Sequence, residues 1–186
     1  TVADAYMLLQ AQAGTAPHDP FYTAPVPDLD SPLEQADLGS IRAMITPDLG
    51  SAAMSHAYSS IFADRTSLFR HHFATAIDAS PDFTDGDNCF EVLRGVNFVA
   101  AHGARVRNHR DSLSPNVVDN VDRGVAYSLA DVAEAHLQQS RIARTWLDLF
   151  EDIDVVICPA ASSTPFPHDQ WSVEEIDGKA METYMR

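Results

Sequence analysis

Ser162, Ser163 and His168 lie within seven residues of one another in "CPAASSTPFPHD", a serine and histidine grouping from which a nucleophile and its base could be built. A serine hydroxyl is a weak nucleophile at neutral pH. It needs a positioned base, and the oxyanion that forms needs backbone donors, which a glycine-rich turn usually provides. No glycine flanks either serine, so the pair reads as loop residues that cap neighbours or face a pocket, and no catalytic residue is assigned in this chain. Lys179 is the only lysine and follows "DG" in polar sequence, which reads as a solvated turn. His71, His72, His102 and His109 do not form an HExxH motif, and neighbours on a helix point about 100° apart, so no metal site is expected. Asp85 with Asp87, and Asp119 with Asp122, could act as paired carboxylates. Their places near helix starts or turns instead suggest capping. No DxDxDG loop suggests calcium, and no cofactor is expected.

The elements that must hold these groups are helices joined by irregular connections, without an internal repeat. Thr1 and Asp4 have capping-box spacing before "VADAYMLLQAQAG", where Val2, Ala5, Leu8, Leu9 and Gln12 share one side and Gly14 can close the helix. Residues 15–38 carry Pro17, Pro20, Pro25, Pro27 and Pro32 and are expected to be a long surface connection. Ile41–Ile45 reads as a strand ending at "PDLG". Tyr58, Ile61, Phe62, Arg65, Leu68, Phe69 and His72 recur at spacings of three and four, as one helical stripe that more often makes core than a ligand channel. A second helix is expected from Thr84, capped in "TDGD", with Gly95 and Gly103 as places for a bend. Ser128 and Asp131 cap a third, whose wide buried face is expected to hold Leu129, Val132, Ala133, His136, Leu137, Ile142, Trp146, Leu149 and Phe150.

That helix runs into the apolar strand Asp154–Cys158. A strand without polar alternation belongs to an α/β sheet covered by helices, and ligands in such folds gather beyond the strand ends. The loop after this strand is therefore the expected site. Pro159, Pro165 and Pro167 restrict it, so that Pro159, Ser162, Ser163 and Phe166 can be held against a substrate at reduced entropic cost.

The charge balance of 12 basic to 27 acidic residues, net −15, argues against nucleic acid and anionic membrane surfaces as partners. No apolar stretch approaches the roughly 20 residues that cross a bilayer. Cys89 and Cys158 lie far apart in apolar sequence without metal-ligand spacing and are read as reduced core thiols of a cytoplasmic protein. The chain opens without Met at a helix start, which suggests a cut.

"RTWLDLFEDIDVVICPAASSTPFPHD" resembles the segment of amidase-signature enzymes in which a helix ends in an aromatic, an Asp starts a strand and a proline loop reaches "PFP". "TVADAYMLLQAQAG" is similar to the helix after that family's glycine- and serine-rich signature. "FEVLRG" and "SPNVVDNVDRG" are similar to its middle, and "EIDGKAMETYM" to the stretch after the proline loop.

The resemblance spans nearly all 186 residues and implies an incomplete, C-terminal portion of an α/β/α fold, a mixed sheet flanked by helices and helix-rich in this part. The family's lysine and two serines, one on a cis peptide, precede the helix with which this chain begins, and no "GGSSGGS"-like run is present. The implied function is thus a portion of an amide hydrolase acting through an acyl-enzyme, with this chain giving core helices and one wall of the acyl pocket. A small-molecule amide and the missing segments of the same fold are the implied partners, with self-association as a homodimer a further expectation. Two alternatives stay open: a glutamine-dependent amidotransferase A subunit-like protein, and a noncatalytic fragment that binds a partner through uncovered faces.

Overall fold

The computed structural model describes residues 1–13, 31–170 and 172–181, in two compact units, residues 1–37 and 38–186. In the first unit, α1 spans Val2–Gln12 and begins with the expected capping box: Thr1 Oγ1 accepts from Asp4 N while the Asp4 carboxylate accepts from the Thr1 amine. Its apolar residues Val2, Leu8 and Leu9 are exposed. Gly14 and the prolines from Pro17 to Pro27 lie outside the described residues, while Pro32 sits in irregular chain.

The second unit has a three-stranded parallel sheet in the order β2–β1–β3, from β1 (Arg42–Ile45), β2 (Thr75–Asp78) and β3 (Val155–Ile157). A separate antiparallel hairpin pairs β4 (Glu175–Ile176) with β5 (Lys179–Ala180). β1 is central, so both its edges are paired and Ala43, Met44 and Ile45 are the buried middle of the sheet. Parallel strands need crossovers, and helices supply them. α2 (His56–Phe69) links β1 to β2, while α3 (Gly86–His109), α4 (Pro115–Ala126) and α5 (Leu129–Asp152) lie between β2 and β3.

Arg42 and Asp154 lock the register of β1 against β3 at the point where both strands begin. The Asp154 carboxylate accepts from Arg42 N at 2.7 Å, from Nε at 3.1 Å and from Nη2 at 2.8 Å, and Asp154 N donates to Arg42 O at 2.8 Å. These charge-assisted bonds hold the Asp154 carboxyl at a pKa of about 2, well below the usual carboxylate range.

α3 packs against both α4 and α5. The helix is continuous through Gly95 and Gly103, so neither glycine interrupts it. Gly95 serves packing instead: a Cβ there would meet Gly124 Cα of α4 at 2.9 Å, and one at Gly124 would meet Gly95 O at 2.2 Å. Two opposed glycines let the helix backbones touch. Cys89 lies buried against α5, its thiol donating to Ala135 O at 3.3 Å, and burial pushes its pKa up. Arg94 on α3 sits over the Phe98 ring at 4.7 Å and donates from Nε to Asn120 Oδ1 of α4 at 2.9 Å.

Several expectations are overturned. Cys158 is exposed, because β3 ends at Ile157 and the cysteine falls beyond the last ladder pair. On α5 the enclosed stripe is narrow: Ala135 and Gln138 are buried and Val132, Ile142, Trp146 and Leu149 half-buried, whereas Leu129, Ala133, His136, Leu137 and Phe150 are exposed. α2 buries only Thr66, leaving Ile61 and Leu68 exposed, so its stripe is not core among the described residues. His71 and His72 fall in a 3₁₀ turn past the end of α2, where α-helical spacing no longer applies, and their ring centroids lie 4.1 Å apart. Of the four paired acids, Asp87 lies in the first turn of α3, while Asp85, Asp119 and Asp122 use their carboxylates in ion pairs. Asp85 has a left-handed backbone, φ 64°, that turns its carboxylate to Arg141, 2.6 Å away, and Asp85, not Thr84, occupies the cap position of α3. Asp122 pairs with Arg110, and Asp119 with Arg123 one turn on at 3.0 Å.

Candidate functional site

A cavity of about 490 Å³ opens beside the ends of the sheet, within the range of small-molecule sites. Four segments wall it: the turn after β1 (Asp48–Ala53), the start of α3 with Phe83 before it, Ser162 of the proline loop, and the hairpin end Lys179–Met181.

The first wall is set by Thr46, which is fully buried where β1 ends. Its hydroxyl bonds Ser80 Oγ at 2.9 Å and accepts from Leu49 N at 3.0 Å, folding the chain back at once. Gly50 completes the turn at φ 86°, and a side chain there would strike Pro81 O. Asp48 Oδ1 accepts from Gly50 N at 2.7 Å, an Asx turn that commits this carboxylate oxygen locally.

Two other walls are hung from the first amides of α2. Ser55 caps that helix, its hydroxyl accepting from Tyr58 N, while Ser55 N donates to Ser162 O of the proline loop at 2.9 Å. The next amide, His56 N, donates to the Asp177 carboxylate at 2.5 Å, and His56 Nδ1 lies 3.3 Å from the same carboxylate. Asp177 and Gly178 form the hairpin turn with φ of 48° and 85°, the backbone that a two-residue turn of this hand requires. Consecutive amides thus fasten two chain segments that are remote in sequence.

Of the loop residues expected to face a substrate, Ser162 lines the cavity; Pro159, Ser163 and Phe166 are not among its lining residues. Pro159, Ser162 and Ser163 are half-buried, and Phe166 is 44% exposed. Ser163 Oγ donates to Thr164 O at 3.3 Å, and no hydrogen bond joins His168 to either serine. Sequence reasoning passed over Phe83, Phe90 and Met181, which give the cavity its apolar lining; Lys179, read as a solvated residue after a turn, is exposed and also stands in the wall. Only the tertiary arrangement brings these four together. Among the described residues no group of three or more His, Cys, Asp or Glu is placed to hold a metal ion, and no helix is long and apolar enough to cross a membrane.

No family model and no curated protein matches this sequence. Solved structures do. A bacterial aryl acylamidase of the amidase-signature family superposes with a TM-score of 0.66 at 11% identity, over 78% of this chain and 33% of that one. An amidase superposes with a TM-score of 0.67 at 15% identity, over 81% of this chain and 34% of that one. The chain has the fold of part of an amidase-signature enzyme. The expected helix-rich α/β portion of that fold is therefore borne out, with a small parallel sheet where a mixed one was expected, and the chain spans about a third of the length of the structures it matches.

Proposed function

We propose that this chain is a portion of an amide hydrolase and that the cavity beside the proline loop receives the acyl part of a small-molecule amide. The observation that carries this reading is the likeness in fold to two amidases, combined with a cavity of suitable size at the end of the sheet, next to the loop that the sequence singles out.

In this reading the reaction centre is supplied by residues outside the chain. A serine Oγ, deprotonated through the cis-serine and lysine of the family pattern, bonds to the amide carbonyl carbon. The C–N bond breaks, and the amine leaves with a proton. Water then cleaves the acyl-serine ester, giving the carboxylic acid and the free serine. The contribution of this chain is positional: Ser162 lines the cavity, held by the bond from Ser55 N to Ser162 O, and Pro159, Ser163 and Phe166 of the same loop would extend that side of the acyl pocket toward the segments outside the chain. None of them moves a proton. The exposed apolar residues Ile61 and Leu68 of α2, and Leu129 and Leu137 of α5, are where the remaining segments of the fold would pack.

Labelling with an aryl fluorophosphonate tests this. In a protein that contains this chain together with the serine-rich segment, the modified serine is expected outside these 186 residues. The chain alone is expected neither to be labelled nor to hydrolyse a simple aryl amide. Labelling of Ser162 or Ser163, with turnover lost in Ser162→Ala or Ser163→Ala, would refute the assignment.

A further inference from the structure

Among the described residues, one charged group in the cavity wall is left without an ion-pair partner. Lys179, the only lysine in the sequence, opens β5 directly after the Asp177–Gly178 turn and lines the cavity. Among the described residues its ammonium makes no ion pair.

The two acids in the same lining are already engaged. Asp48 accepts from Gly50 N, and Asp87, in the first turn of α3 where the helix dipole favours a carboxylate, has a partner within the fold. What remains for a ligand is an apolar surface from Leu49, Ala52, Ala53, Phe83, Phe90 and Met181, with the Lys179 cation at its edge. Phe90 is 45% exposed, which leaves an aromatic surface available in the wall. An aromatic surface beside an unpaired ammonium complements a ligand with a flat apolar body and an acceptor at one end.

We propose that the cavity takes small molecules with an aromatic or branched apolar body and a carboxylate end, and that Lys179 is the residue selecting the carboxylate. The proposal rests on the acyl-site reading in one respect: in the hydrolase, this carboxylate belongs to the part of the acyl group remote from the scissile amide. An ammonium is a compact point charge on a flexible stem, so it can follow a carboxylate that is not rigidly placed.

The test is equilibrium binding to the 186-residue chain, with terephthalamate and p-toluamide as probes. They share a benzamide body, and one carries a carboxylate where the other carries a methyl group. At low salt, terephthalamate is expected to bind roughly fivefold tighter or better. Lys179→Met should remove that preference and Lys179→Arg should keep most of it, while Phe90→Ala should weaken both probes. Asp48→Asn retains the acceptor for Gly50 N and removes a negative charge from the wall, so it should tighten terephthalamate alone. Unchanged thermal midpoints show that the variants are folded. A preference that survives Lys179→Met, equal binding of the two probes, or no binding of either below about 10 mM would each overturn the proposal. No turnover enters the measurement, so a failure here and a failure of serine labelling are separate results.

Discussion

Gly124→Ala is expected to destabilise the protein while Gly103→Ala stabilises it, although both place a methyl group on a helix of the same packed set. At Gly124 the new Cβ would lie 2.2 Å from Gly95 O, 2.6 Å from Gly95 C and 2.7 Å from Val99 Cγ2. The first two are helix backbone, which has no alternative rotamer, so α3 and α4 must separate. Overpacking costs about 1–3 kcal/mol where side chains can adjust, and a backbone contact belongs at or beyond the top of that range. Alanine returns about 1 kcal/mol of helix propensity, leaving a net loss of about 2 kcal/mol. At Gly103 the nearest atoms are Arg107 Nη1 and Val99 Cγ1, both at 3.6 Å, ordinary contact distance. There the propensity gain stands nearly alone, about 0.5–1 kcal/mol in favour of the variant. Urea denaturation reads both: at unchanged slope, the midpoint should fall for Gly124→Ala and rise for Gly103→Ala. For a chain of this size the thermal midpoint of Gly124→Ala should drop by about 4–8 °C. A Gly124→Ala midpoint at or above that of the wild type would mean that the close approach of α3 and α4 is wrong.

Other outcomes follow from the clamp and the site. Asp154 has a folded pKa of about 2 against an ordinary 3.8, so its contribution is fully present above pH 3.8 and fades as pH falls through about 2. The gap in urea midpoint between wild type and Asp154→Asn should therefore narrow on acidification, and a gap independent of pH would sink the clamp. Asp177→Ala should raise hydrogen exchange at Met181 N, which donates to Glu174 O at 2.8 Å, roughly tenfold, while Asp177→Asn retains an acceptor and protects it. In a hydrolase containing this chain, Phe166→Ala should shift relative kcat/KM between small and bulky amides by an amount worth about 1–3 kcal/mol. Uniform loss across both would identify Phe166 as part of a structural turn.

Much of the fold was legible because its signals are local. The capping boxes at Thr1 and Ser128 place the starts of α1 and α5, and the apolar runs at Ile41 and Val155 mark the buried central strand and one of its two neighbours. β2 was missed: "TAID" is short, with polar residues at both ends, and three of its four residues are exposed. Burial was legible only where a partner element lies in the same chain. Leu129 and Leu137 have helical spacing like that of the enclosed residues, yet nothing among the described residues covers them, and period alone does not say which apolar stripe finds a partner. The proline loop was visible through its composition. The cavity was not, since Asp48, Phe90, Ser162 and Lys179 meet only after two crossovers and a hairpin have formed.

The joint at the start of α2 also restricts how this sequence can vary. Ser55 N holds the proline loop and His56 N holds the hairpin, and the two amides are neighbours on one turn. Inserting or deleting a single residue between Ala52 and Ser55 would move the helix start by one position, turning each donor by about 100° about the helix axis. Both distant segments would lose their anchor together. Surface connections usually tolerate changes of length, whereas here the residue count of the segment from Gly50 to Ser55 is as constrained as the register of a buried strand.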